Sequence, residues 1–201
     1  MRVSDKIICT DSPCIDVIKN NYVFPNIVLH PEKIKIIMIS EAPSINRNKN
    51  FYNSDNDIFI QPTIKIFNDA GLNISCINEI LDNGIYITTA IKCPKKGMSV
   101  SSVTIKNCSR ILETELGLFP NIKVIILNGD IAIKSMNYIA KDQQGERVIP
   151  AGSTYKIRKN KFYYKNIRCF PSYILTGKNL LIEKSKRTMI TEDIKQALRY
   201  I

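Results

Sequence analysis

Glu41 stands in SEAPS, residues 40 to 44, where the continuous apolar run KIKIIMIS (33 to 40) gives out. A carboxylate at a strand mouth can orient a water molecule and take part of its proton, or it can be an ordinary solvated loop acid. The stretch YITTAIKCPKKG (86 to 97) begins β-branched and apolar and changes character at Lys92-Cys93-Pro94. It therefore brings a thiol and three lysines, Lys92, Lys95 and Lys96, to a second strand mouth. FPSYILTGKN (170 to 179) is a Pro-Ser corner carrying Tyr173, Ile174 and Leu175, with Gly177 and Lys178 beyond. Three large side chains there are either a staple to the core or a wedge entering a base stack, where they offset an unstacking cost on the order of a few kcal/mol.

Four of the six cysteines form two pairs, Cys9 with Cys14 and Cys93 with Cys108. Four thiolates can hold a [4Fe-4S] cluster or a structural zinc; four buried cysteines can also be packing residues. Cys76 and Cys169 read as core thiols, and His30, the only histidine, as a surface residue. Charge points to a partner. The chain has 29 Lys plus Arg against 18 Asp plus Glu, a net +11, and residues 156 to 201 hold 12 basic and 3 acidic side chains, or +9 of that total. Such a balance suits a polyanion, nucleic acid above all, although a solubilising surface has the same composition.

The elements that must position these residues alternate as in a βαβ protein. Residues 33 to 40 and 122 to 129 read as strands buried on both faces, and 85 to 91 as a strand between helical segments. QPTIKIFNDAG has Pro62 in a first turn and Gly71 as a stop, and SCINEILDNG repeats the plan with Ser75 as cap and Gly84 as terminator. SVTIKNCSRILETELGLF is a longer amphipathic helix with Ile105, Cys108, Ile111, Leu112 and Leu116 on one stripe. Asp130 is expected to cap a helix through about Ala140. STYKIRKNKFYYKNIRCF alternates like one or two strands, and TEDIKQALRY closes the chain as a helix. The expected fold class is α/β: three αβα layers around a central, mostly parallel sheet, with all 201 residues in one domain. Ligands of such sheets bind beyond the carboxyl ends of the strands, where SEAPS, KCPKKG and FPSYIL all fall. No apolar run approaches the ~18 residues of a membrane span, and the N-terminus shows no secretory pattern, which predicts a cytoplasmic protein without a membrane partner.

In that order, SEAPS, YITTAIKCP, NCSRILETELGLFPNIKVIILNGDIA and FPSYIL together resemble the uracil-DNA glycosylase superfamily, most closely its iron-sulfur-containing branch called family 4. The resemblance runs from about residue 9 to residue 180. SEAPS is similar to that branch's Gly-Glu-Ala-Pro-Gly motif, with Ser40 and Ser44 in place of the glycines, and FPSYIL occupies the place of its His-Pro-Ser loop. The resemblance implies monofunctional hydrolysis of the bond between a deoxyribose and a flipped base. Glu41 would position water, and Ala42 and Pro43 would line the pocket with Thr89 and Phe170. Phe59, or else Tyr52, would stack on the base. Lys92, Lys95, Lys96, Ser172, Lys178, Lys184, Lys186 and Arg187 would hold DNA, with Tyr173, Ile174 or Leu175 filling the gap. It also implies that Cys9, Cys14, Cys93 and Cys108 ligate a [4Fe-4S] cluster in a monomeric protein acting on duplex or single-stranded DNA. Two positions depart from the pattern. The base-reading Asn is Thr89, which offers one short hydroxyl contact where an amide offers two, and the donor His is Phe170, which cannot donate. Those departures predict an altered base preference, or a DNA-binding protein of this fold without catalysis.

Overall fold

The computed structural model describes residues 1–9, 13–19, 24–25, 27–46, 49–52, 60–175 and 183–201. Phe59 and Lys178 lie outside the described residues.

The three longest apolar runs lie side by side in the sheet, the first between the other two. β1 (Ile36–Ser40), β2 (Ile85–Thr89) and β3 (Val124–Asn128) are almost wholly buried, as strands covered on both faces must be. β4 (Phe162–Tyr164) and β5 (Ile167–Ser172) complete a sheet of order β2-β1-β3-β5-β4, parallel except for the β4–β5 hairpin. Register aligns the strand mouths: Ser40 lies beside Thr89, Ile39 beside Leu127, and Asn128 beside Ser172. The chain passes from β1 to β2 on one side and then returns to β3 on the other side of β1. The crevice between the carboxyl ends of β1 and β3 is thus the topological switch point, where α/β sheets bind ligands.

Helices cover the sheet in two pairs: α2 (Ser102–Leu116) packs on α3 (Asp130–Gln144), and α1 (Gln61–Asp69) on α5 (Lys184–Ala197), with the short α4 (Thr154–Ile157) against β5. The expected three-layer αβα arrangement is the observed one. Among the described residues no helix is long and apolar enough to cross a membrane.

Several local expectations are corrected. Residues 77 to 80 form a 3-10 turn instead of an α-helix, because Glu79 folds back to accept from both the backbone N–H and the hydroxyl of Ser75 and closes the segment locally. The N-cap of α3 is Gly129, with Asp130 already in the first turn, and the helix runs on to Gln144. The start of the 153–170 segment is α4, so only its second half alternates as strand. Tyr52 is no base-stacking ring: it is buried against Tyr86, and its hydroxyl accepts the Ile87 N–H (2.7 Å) on the open edge of β2.

Candidate active site

Glu41 follows β1 directly, so the sheet fixes its backbone. The Ala90 N–H donates to the Ser40 carbonyl (2.8 Å) and the Ile91 N–H to the Glu41 carbonyl (2.9 Å), locking the first mouth to the second. Opposite, β3 ends at Gly129, whose φ of +101° and ψ of 170° belong to a region that only glycine occupies freely. A Cβ at this position would lie 2.8 Å from Glu41 Oε1 and 2.8 Å from Ile174 Cγ1. The missing side chain is therefore the seat of the Glu41 carboxylate, and Ile174 leans over the same spot. Gly129→Ala is expected to cost about 1 to 3 kcal/mol in chemical denaturation and to displace Glu41 as well.

The second mouth supplies a cation. Lys95 Nζ lies 3.1 Å from Glu41 Oε2 and 3.2 Å from the Met98 carbonyl, with side-chain exposures of 23% for Lys95 and 16% for Glu41. Both groups are sheltered and still open to solvent. Thr89, half-buried, ends β2 in register with Ser40, and Ala42 and Pro43 beyond Glu41 are also half-buried. Of the residues expected around a flipped base, Glu41, Ala42 and Pro43 follow β1 at the switch point, and Thr89 ends the neighbouring strand β2.

Phe170 does not join them. It lies within β5, buried, with the Arg168 guanidinium 4.0 Å from its ring centre and the Tyr200 ring edge-on at 6.2 Å; it is a core residue. The rest of the 170–175 segment is pinned. Ser172, expected on DNA, is buried and donates to Asp193 Oδ2 (2.6 Å), which also accepts from Arg158. Asn128 Nδ2 donates to the Tyr173 carbonyl (2.9 Å), and Leu175 is fully buried, acting as a staple and not a wedge. Ile174, 46% exposed, is the side chain left at the mouth, with half-buried Tyr173 beneath Lys186 (5.7 Å from ring centre to Nζ).

Lys92 is the largest correction among the basic residues. It is 1% exposed, paired with the fully buried Glu115, and bonded to Thr88 Oγ1 (2.9 Å) and the Thr89 carbonyl (2.5 Å), so it cannot reach a phosphate. Lys96 and Lys184 are exposed, and Lys186 and Arg187 half-exposed, with Lys186 ion-paired to Glu183 at 2.7 Å. Lys184, Arg187 and Lys195 border an open groove on α5 that also holds the hydroxyls of Thr188 and Thr191 and the acids Asp69 and Glu192.

The N-terminal segment reaches this region by lying antiparallel to residues 94 to 96. The Ile18 N–H donates to the Pro94 carbonyl, the Lys96 N–H to the Asp16 carbonyl, and Val17 bridges Lys95. Asp16 then ties down the start of α2, whose N-cap is Ser101, accepting from the Ser101 N–H and the Thr104 hydroxyl at 2.5 Å each. Burial raises the Asp16 pKa, but these hydrogen bonds outweigh it and hold the carboxyl below the usual range. The result gathers thiols. Burial, and then the neighbouring Cys108, Cys9 and Cys14, push the Cys93 thiol up to about 11; burial chiefly raises Cys108, against Lys92, with Cys14 and Cys9 adding less. Cys108, Cys9 and Cys14 are thus neighbours of Cys93, but among the described residues no group of three or more His, Cys, Asp or Glu is placed so as to hold a metal ion. Cys169 is buried at the sheet and remote in role, its thiol raised to about 12 chiefly by burial.

Gly129, Asn128, Asp193 and Glu115 are the site-building residues that the sequence reading missed. A glycine directly after a buried strand, and a lone Glu on the apolar stripe of α2, were the available signals.

A family model described as the uracil DNA glycosylase superfamily matches residues 28–193. The chain belongs to that superfamily. It is thus glycosylase-like, with DNA as its partner class. No curated protein matches the chain.

Proposed function

We propose that the protein hydrolyses the N-glycosidic bond of a damaged, deaminated base flipped out of DNA, with a preference altered from the usual uracil reader. The observation that carries the reading is Glu41, seated on Gly129 at the switch point with its carboxylate facing a half-open mouth. Glu41 orients the attacking water and stabilises positive charge at the sugar; Ala42, Pro43 and Thr89 border the base; Ile174 fills the gap it leaves. Thr89 supports the altered preference because it offers a hydroxyl where an amide would read both donor and acceptor of uracil. With Phe170 buried in β5, no imidazole stands there to donate to the leaving base, a loss typically worth about 10^2 to 10^3 in rate. A base whose departure is assisted by protonation of its own ring, such as a deaminated purine, suits that site best.

The test is base release from duplex and single-stranded oligonucleotides carrying uracil, hypoxanthine, xanthine or a mismatch. Release of one of these supports the reading. Salt-dependent DNA binding with no release from any substrate would instead identify a DNA-binding protein that keeps the fold without the reaction.

Cys9, Cys14, Cys93 and Cys108 are proposed to hold a [4Fe-4S] cluster, with zinc the other occupant that four thiolates suit. Bound there, the group would cross-link the N-terminal segment to the 93–108 loop and α2, a structural contribution. The four-cysteine neighbourhood supports this proposal. Aerobically purified protein is expected to be brown, with broad absorbance near about 400 nm, and to lose that colour in Cys93→Ser/Cys108→Ser. Colourless, zinc-bearing protein would favour the alternative, and metal-free folded protein would end the proposal.

A further inference from the structure

We propose a second activity at the same mouth: Lys95 is a nucleophile that forms a Schiff base with an abasic deoxyribose and cleaves the strand on its 3′ side. The glycosylase reading gives Lys95 no more than a hold on DNA, which does not account for its ammonium pairing with Glu41. Its position is nevertheless specific. The ammonium reaches back to the carboxylate that would hold the attacking water, 3.1 Å away, and is held by the Met98 carbonyl on its other side. The backbone bridge from Lys95 to Val17 fixes the root of the side chain. A water on Glu41 attacks C1′ of the sugar, so C1′ of the product lies within one small molecule of the carboxylate that Lys95 also touches. Once the base has left, the ring-opened sugar presents an aldehyde at C1′, the carbonyl type that lysine amines attack. A nucleophile within hydrogen-bond reach of a base, with the base itself seated by a third group, here Gly129, is the arrangement such chemistry requires.

The steps balance within the pair. Glu41 takes a proton from the Lys95 ammonium, and the freed amine adds to the C1′ aldehyde. Glu41 returns that proton to the carbinolamine hydroxyl, which leaves as water, giving an iminium on Nζ and a carboxylate ready to act again. The iminium acidifies C2′. Glu41 removes a C2′ proton, the C–H electron pair becomes the C2′–C3′ double bond, and the C3′–O bond breaks with its electrons going to the departing 3′ phosphate. Glu41 passes the C2′ proton to the departing phosphate or to solvent, and water hydrolyses the conjugated iminium, restoring the lysine ammonium and releasing an unsaturated aldehyde on the 5′ fragment.

The inference rests on the glycosylase reading for its supply of abasic sites, and preformed abasic DNA tests it separately. The full-length protein would be incubated with an oligonucleotide carrying one abasic site in the presence of borohydride, which reduces a Schiff base to a stable amine. A covalent adduct that maps to Lys95 by peptide mass spectrometry, and that disappears in Lys95→Arg, is the expected result. Mapping on the unaltered protein makes the result independent of how the variant folds. Absence of an adduct, or an adduct on the N-terminal amine or another lysine that persists in Lys95→Arg, overturns the inference. Base release from the damaged-base panel without trapping would leave the glycosylase reading standing alone; trapping without base release would do the reverse.

Discussion

Glu41→Gln is expected to lower the rate of base release by about 10^2 to 10^4 while leaving affinity for the same DNA within a few-fold, because general-base assistance is typically worth that much in rate. The substitution keeps the shape of the side chain, so the amide can still occupy the space that Gly129 leaves open. It removes the charge that orients water and favours positive character at the sugar. The paired lysine must be separated from this effect, since Lys95 loses its partner in the same variant. For that reason the comparison includes Lys95→Gln, in which the carboxylate remains. If Glu41 performs the hydrolysis, its variant loses single-turnover release far more severely than the Lys95 variant does. The fold should tolerate both changes, since partly exposed ion pairs contribute only about 0 to 1 kcal/mol. Equal release by the native protein and Glu41→Gln would remove Glu41 from the mechanism.

Glu41 was legible because two physical rules coincide at it. A run such as IIMIS has no polar alternation and must be covered on both faces, which makes it a central strand. The residue after such a strand falls at the ligand-binding end of the sheet. Phe170 was misplaced because a Pro at the next position suggests that a strand has already ended. In the structure β5 runs through Pro171, since β4 covers β5 only from Ile167 to Cys169 and the missing N–H falls beyond that pairing. The 75–84 segment carried a cap and a terminator but only one turn between them, and so short a helix barely offsets its nucleation cost. Gly129 and Asn128 escaped notice for another reason. What they support, Glu41 and the Tyr173 carbonyl, comes from distant parts of the chain, and only the sheet order brings them together. Lys92 follows the same logic, because a lysine after a strand reads as solvated until its partner in α2 is known.

That partner gives the largest expected effect on stability. Glu115→Ala is expected to cost about 3 to 5 kcal/mol in urea or guanidinium unfolding, the usual penalty for stranding one member of a buried ion pair. Glu115 has no exposed surface, accepts from Lys92, and through Oε1 also accepts the hydroxyls of Tyr86 and Thr88 at 2.8 Å each. Burial first and then Glu115 itself push the Tyr86 phenol well above its ordinary pKa, so it stays a neutral donor that needs this acceptor. Lys92→Met/Glu115→Leu should recover most of the loss, because an apolar pair of similar volume removes both desolvated charges. It should not recover all of it, since the two hydroxyls still lose their acceptor and an unsatisfied buried polar group costs about 1 to 3 kcal/mol. A single variant as stable as the native protein would mean that water enters to solvate Lys92. The network also bears on function: Lys92 donates to the carbonyl of Thr89, the proposed base-facing residue, and precedes Cys93. Its position explains the abrupt change at the end of β2. The first lysine of KCPKK turns inward to brace the pocket wall against α2, and that inward turn carries Cys93 toward the other thiols and Lys95 toward Glu41.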